Sequence, residues 1–284
     1  MIFEAFLGVD QTGAAVRGGA AARPLPCALL RRAGARWRLT VRDRWLPALD
    51  AASVDAITGG VAPVALMVDC VFGLPRSIAR PLGLPGRGAQ PLWRLFERAA
   101  AGEALPRYGR AAGEAFFAAL AASAGGVTVP LPRRDCEVCS NATSVFQTRP
   151  YQRNVQTGTH RIWRDLAARG SGWASIWPFE PPAAPRVLFE SFPTLFWQRL
   201  FGLRTRSRPD LPAAIARAFR GRARLDVDDW DAIVSDPERA DAAVLALGGL
   251  LLQLDARLLE PFAGFTPRVR RLGLEGWIAG LAAA

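Results

Sequence analysis

The chain has no lysine, one histidine, two methionines, two tyrosines and four cysteines among its 284 residues. Each shortage removes a class of function. Without lysine, no phosphate-binding loop of the form G-x-x-x-x-G-K-[ST] can be completed. With His160 alone, no two-histidine metalloprotease site can be built. The G-x-S-x-G elbow of serine hydrolases is missing too. The longest apolar run, Ala242–Leu252, is too short and too interrupted by Gly248-Gly249 to span a bilayer. The start, Met1-Ile2-Phe3-Glu4, carries an acid and no basic segment, so the expectation is a cytoplasmic protein with reduced thiols and no membrane partner. Cys136-Glu137-Val138-Cys139 is a lone C-x-x-C, whereas structural zinc sites usually need two such pairs. Ordinary thiols are expected there, ahead of zinc or redox chemistry.

Half of the residues are hydrophobic and 21% are charged, enough for a sizeable core and against a disordered chain. All 36 basic residues are Arg, and the net charge is +11. Arginine grips phosphate oxygens in bidentate fashion, so nucleic acid or a phosphorylated small molecule is a candidate partner. An alternative stays open. Abundant Ala, Gly and Pro beside Arg is the pattern of GC-rich coding, and much of the charge can follow from that.

The hydrophobic pattern predicts one α/β domain over residues 1–284, with an insertion over 76–185. Phe3–Asp10 reads as a buried strand ending at a carboxylate. Pro26–Leu30 and Arg36–Val41 read as two further strands joined by the hairpin turn Arg32-Ala33-Gly34-Ala35. A helix is expected over Leu46–Ile57, and Val64–Val68 has the continuous apolar character of a central parallel strand. Within the insertion, helices are expected over Ala89–Ala101, over Ala111–Ala124 and from about Thr159 to Ala168. Arg186–Phe192 reads as another buried strand. Pro193 then opens a helix through Leu200, followed by helices over Leu211–Phe219, Pro237–Leu254 and Leu274–Ala282.

The strand candidates end at or near Asp10, Asp69 and Glu190, and Asp241 lies in the first turns of the long late helix. Acids at the carboxyl ends of neighbouring strands converge on the crevice where open sheets bind ligands. Crowded carboxylates repel one another unless a cation lies between them. Mg²⁺ or Mn²⁺ suits such oxygen ligands, and a metal pair can assist phosphodiester hydrolysis. The plainer alternative is that each acid caps a helix or accepts backbone N–H groups.

Gly8-Val9-Asp10, Val68-Asp69-Cys70-Val71-Phe72-Gly73-Leu74-Pro75, Phe189-Glu190-Ser191-Phe192-Pro193 and Ala240-Asp241-Ala242-Ala243 together resemble a predicted-nuclease group, domain-of-unknown-function family number 429. The resemblance covers Met1–Asp69 and Arg186–Leu254 in outline. It implies the ribonuclease-H-like superfamily: a three-layer α/β domain whose mixed five-stranded sheet has the order 3-2-1-4-5. It also implies Asp10, Asp69 and Asp241 as metal ligands, with Glu190 a ligand or a neighbour of the site. The implied activity is that of a Mg²⁺- or Mn²⁺-dependent nuclease or related phosphoesterase. A non-catalytic binding module on the same fold and a small-molecule nucleotide phosphohydrolase are the alternatives. The chain departs from the pattern in continuing as Gln11-Thr12-Gly13-Ala14 without further acids, and in the length of the 76–185 insertion.

Inside that insertion, Arg149, Arg153 and Arg161 surround Thr157-Gly158-Thr159-His160. Small residues at a helix start expose N–H groups to an anion, so these residues are candidate substrate contacts; an ordinary surface N-cap is the alternative. His160 is a candidate general acid or, more plainly, a structural histidine. Trp163, Trp173, Trp177, Phe179, Phe196 and Trp197 can stack on bases or pack the insertion onto the core, and packing is the expectation.

Overall fold

The structure is a computed structural model that describes residues 2–11, 23–41, 43–82, 90–101, 110–126, 131–146, 154–168, 170, 172–180, 185–203, 207–255, 275–276 and 278–280. Arg149 and Arg153 lie outside the described residues.

In chain order the strands are β1 (Ala5–Val9), β2 (Leu25–Ala33), β3 (Arg36–Thr40), β4 (Trp45–Leu46), β5 (Val64–Asp69), β6 (Ser175–Trp177), β7 (Arg186–Ser191) and β8 (Arg224–Val227). The helices are α1 (Ala51–Thr58), α2 (Arg76–Ala79), α3 (Gln90–Ala101), α4 (Arg110–Ser123), α5 (Asp135–Ser140), α6 (Asn154–Ala168), α7 (Pro193–Leu195), α8 (Leu211–Phe219), α9 (Trp230–Ser235) and α10 (Pro237–Leu254). Described helices α2 to α6 and strand β6 fall between β5 and β7, within the stretch expected as an insertion.

The strands form one mixed sheet in the order β6-β7-β5-β1-β2-β3-β8, with β4 pairing β2 off this path. The β1–β2 and β2–β3 pairs are antiparallel, whereas β5 lies parallel to both β1 and β7. Among the described residues the sheet therefore has eight strands, where five were expected. β6 extends one edge and β8 the other. Three-residue Ser175–Trp177 and half-exposed Arg224–Val227 are too short and too mixed in character to stand out from sequence.

Two core clusters lie on opposite faces of the sheet. Phe6, Ala65, Met67, Val187 and Phe189 face one side with Phe196, Trp197 and the buried run of α10. Leu7, Val9, Leu66, Val68 and Leu188 face the other with Trp93, Phe96, Phe117 and Trp163 from α3, α4 and α6. Coverage on both faces is why β1 and β5 read as unbroken apolar runs. Gly8 is required by this packing, because a Cβ there would stand 2.0 Å from the Ala242 carbonyl oxygen.

Other departures are local. α1 starts at Ala51 instead of Leu46, because Trp45–Leu46 pairs with β2 and Asp50 caps the helix by accepting from the Ser53 N–H at 2.8 Å. The helix opened by Pro193 passes into a π-helical turn over Phe196–Leu200. Leu274–Ala282 was expected to be helical. Its described residues make turns, with Gly276 at φ 69° and Gly280 at φ 79°, outside helical backbone. No helix among the described residues is long and apolar enough to cross a membrane.

Candidate functional site: a carboxylate edge

Val9 is level with Val68 in the parallel β1–β5 ladder, so the next residues, Asp10 and Asp69, lie side by side on neighbouring strands. Asp10 still belongs to the sheet through its N–H, which donates to the Pro26 carbonyl at 3.1 Å. Side chains alternate along strands, so each acid shares a face with the residue two before it. Gly8 abuts Ala242 and Ala246 of α10, and Met67 abuts Gly249 of the same helix. Asp10 and Asp69 therefore both belong to the face covered by α10.

α10 runs antiparallel to β1, since Ala242 and Ala246 lie over Gly8, Gly249 lies over Phe6, and Gln253 exchanges hydrogen bonds with the Phe3 backbone. Two strand residues beyond Gly8 is about 6.6 Å, or roughly four helical residues toward the helix start. Asp241 thus stands at the level of Asp10. It is buried, and its Oδ1 accepts from Trp197 Nε1 at 2.7 Å. The π-helical turn that carries Trp197 positions that indole.

Glu190 turns the other way. It is level with Val68, whose side chain faces the α3–α4–α6 layer. There its Oε2 accepts from Arg134 Nη1 at 2.7 Å and from the Phe72 N–H at 3.0 Å, and its Oε1 accepts from Arg134 Nη2 at 2.5 Å. Arg134 also donates from Nε to Glu137 at 2.9 Å and from Nη1 to the Glu275 carbonyl at 2.9 Å. Arg134 and Glu137 are each only 1% exposed. One buried guanidinium thus ties the start of α5, strand β7 and the segment around Glu275 together. Burial raises the Glu137 carboxyl, an effect that Arg134 opposes.

Thr157, Gly158 and Thr159 do not form a helix start. α6 begins at Asn154, five residues before the expected Thr159, so these residues lie within the helix and their N–H groups do not form an open N-terminal anion cradle. Tertiary packing overrides the low helix propensity of Thr and Gly. The Gln11 side chain occupies the space that a Cβ on Gly158 would need, its Oε1 falling 1.2 Å from that position, and Thr159 Oγ1 accepts from the Val71 N–H at 3.4 Å. Arg161 donates to the Pro47 carbonyl at 3.3 Å. His160 lies against Phe116, with ring centroids 5.1 Å apart. Burial first, and Arg164 second, lower its pKa to about 4, so it is neutral at pH 7. It faces the α3–α4 layer, whereas Asp10 and Asp69 face α10.

Among the described residues, no group of three or more His, Cys, Asp or Glu side chains is arranged to hold a metal ion. Cys136 is buried and Cys139 half-buried in α5, both as free thiols. Burial pushes the Cys70 and Cys136 thiols up, and Cys27 to about 12, as for unreactive core cysteines. The aromatics assigned to packing are packed: Trp163, Trp177, Phe196 and Trp197 are fully buried.

Arg134, Glu137, Glu275 and Trp197 were not legible as site neighbours. The one local sign was the Arg134–Glu137 spacing, which lets Glu137 accept from the Arg134 backbone N–H at 2.9 Å at the start of α5. Compared with family models, with curated proteins and with solved structures, the chain matches none.

Proposed function

We propose that the protein is a Mg²⁺- or Mn²⁺-dependent nuclease or related phosphoesterase of ribonuclease-H-like type, with Asp10, Asp69 and Asp241 at its centre. The observation that carries this reading is the placing of Asp10 and Asp69 side by side, on the face where α10 brings Asp241 to the same level. The consecutive order β3-β2-β1-β5-β7 within the sheet supports the same superfamily.

The donor set fits a hard cation. Mg²⁺ is commonly held by one or two carboxylates, with water and substrate phosphate completing its shell, so a prebuilt three-ligand cage is not required. Asp10 and Asp69 would hold it, with Asp241 beside them. The metal would supply charge stabilisation on phosphoryl oxygens. The chain's own part is positional. β1 and β5 fix the two carboxylates, Trp197 orients Asp241, and α6 with Gln11 closes the opposite side of the edge.

A second reading draws on Glu190. Its two oxygens are taken up by Arg134, which is the arrangement expected of a binding module that retains the fold without cleavage. Calorimetric titration with Mn²⁺ tests the two readings. Saturable binding in the wild type that is lost in an Asp10→Asn, Asp69→Asn variant, followed by metal-dependent hydrolysis of an oligonucleotide, is expected. No binding with or without oligonucleotide would leave the binding-module reading.

A further inference from the structure

The sheet has a second exceptional region, far from the carboxylates. On the face that α3, α4 and α6 cover elsewhere, the far end of β2 with β3 and β8 stands exposed. Register places Arg31 opposite Arg38, and Arg36 opposite both Ala33 and Arg224. All four arginines are exposed. Because cross-strand partners share a face, the four guanidinium groups rise from one side of three neighbouring strands. None of the four side chains takes part in an ion pair or hydrogen bond among the described residues, whereas Arg32, on the opposite face, pairs with Glu4 at 3.6 Å. One carboxylate shares this face: Asp226 is opposite Arg38 and two residues from Arg224, while Asp228, just past β8, accepts from the Val41 N–H.

Like charges placed directly opposite on adjacent strands destabilise a sheet. Two such pairs, Arg31 with Arg38 and Arg36 with Arg224, share their face with a single acid, Asp226, so positive charge remains in excess there. An anionic ligand would relieve that repulsion. Arg36 and Arg38 are about 6.6 Å apart along the strand and neighbouring strands about 4.8 Å apart, a spread that matches several anionic groups in a row better than one. Guanidinium forks suit phosphate oxygens.

We infer that Arg31, Arg36, Arg38 and Arg224 form a docking face for the phosphodiester backbone of nucleic acid. The choice of nucleic acid over an acidic protein rests on the phosphoester reading above; the existence of an anion-binding face does not. Arg31 is level with Ala5, five residues and about 16 Å along β1 from Asp10, so the face would anchor a polymer at a distance from the carboxylate edge. It reads no bases, and binding should be sequence-independent and strongly salt-dependent.

The test uses the full chain in EDTA, so that hydrolysis cannot interfere, and the fluorescence anisotropy of a labelled 30-nucleotide single strand over a range of salt. An Arg31→Ala, Arg36→Ala, Arg38→Ala, Arg224→Ala variant is compared with one that removes the same charge elsewhere, at exposed Arg80, Arg94, Arg98 and Arg217. The first should flatten the slope of log K against log salt by about 3, at roughly 0.7 per phosphate contact, and weaken binding at least tenfold; the second should do neither. Equal loss in both variants, or no binding by the wild type, would overturn the docking face. Binding of poly-glutamate as tight as that of the oligonucleotide would overturn the nucleic-acid assignment. Because metal is absent, failure here leaves the Mn²⁺ titration of Asp10 and Asp69 untouched, and the reverse also holds. Melting curves of both variants establish that they fold.

Discussion

The two ends of this sheet treat charge in opposite ways. Where β1, β5 and β7 end, Glu190 is enclosed with Arg134, and Asp241, on the covering helix α10, is held by Trp197. Where β2, β3 and β8 meet, arginines face arginines and remain in water. Burial explains the contrast. An ion removed from water must be matched by a partner, whereas an exposed one is screened and its repulsions stay small. The enclosed end is therefore where single substitutions hurt folding, and the open end is where charge can be kept for a ligand.

The sharpest way to break that contrast is at Arg134. Arg134→Met leaves Glu190 and Glu137 buried without their counter-charge and should lower stability by about 3–5 kcal/mol, measured by denaturant unfolding. Adding Glu190→Gln to that variant should recover part of the loss. If the single variant unfolds at the wild-type midpoint, the ion pair is not holding the insertion to β7.

His160 gives a smaller, pH-dependent effect on the enclosed side. Its folded pKa of about 4 lies below the ordinary 6.5, so the unfolded chain binds the proton more readily. Its contribution is complete above pH 6.5 and is lost as pH falls to 4 and below, on the order of 3 kcal/mol in all. The difference between wild type and His160→Gln, taken across this range, isolates it from the buried acids. A difference that does not change with pH would contradict the buried, neutral imidazole.

The smallest effect belongs to the open face. Arg36→Glu replaces a like-charge pair with Arg224 by an opposite one and should raise stability by about 0.5 kcal/mol, while weakening oligonucleotide binding. A gain in stability with unchanged binding would separate the face from any ligand.

Much of the fold was legible because its strands advertise themselves. Apolar Val64–Val68 and the alternation of Trp37, Leu39 and Val41 follow from burial on two faces and on one. Leu211–Phe219 and Pro237–Leu254 could be read to the residue, since Pro near the start and a long run of apolar helix formers depend only on local chemistry. The start of α6 could not, because Gly158 looks like a turn until Gln11 is seen to need its missing side chain. β8 could not either, since β3, its partner among the described residues, is 188 residues earlier in the chain.

The sequence by itself determined which acids end strands, because strand length and apolar character are local properties. It also determined that every cation is arginine. Only the tertiary structure decided which of those acids share a face. Alternation along β7 sends Glu190 to the side opposite Asp10 and Asp69, and Arg134, fifty-six residues away in the chain, meets it there. Likewise only strand register set Arg31 against Arg38 and Arg36 against Arg224. Partnership across strands is set by which backbones pair, and no local feature of the chain carries that information.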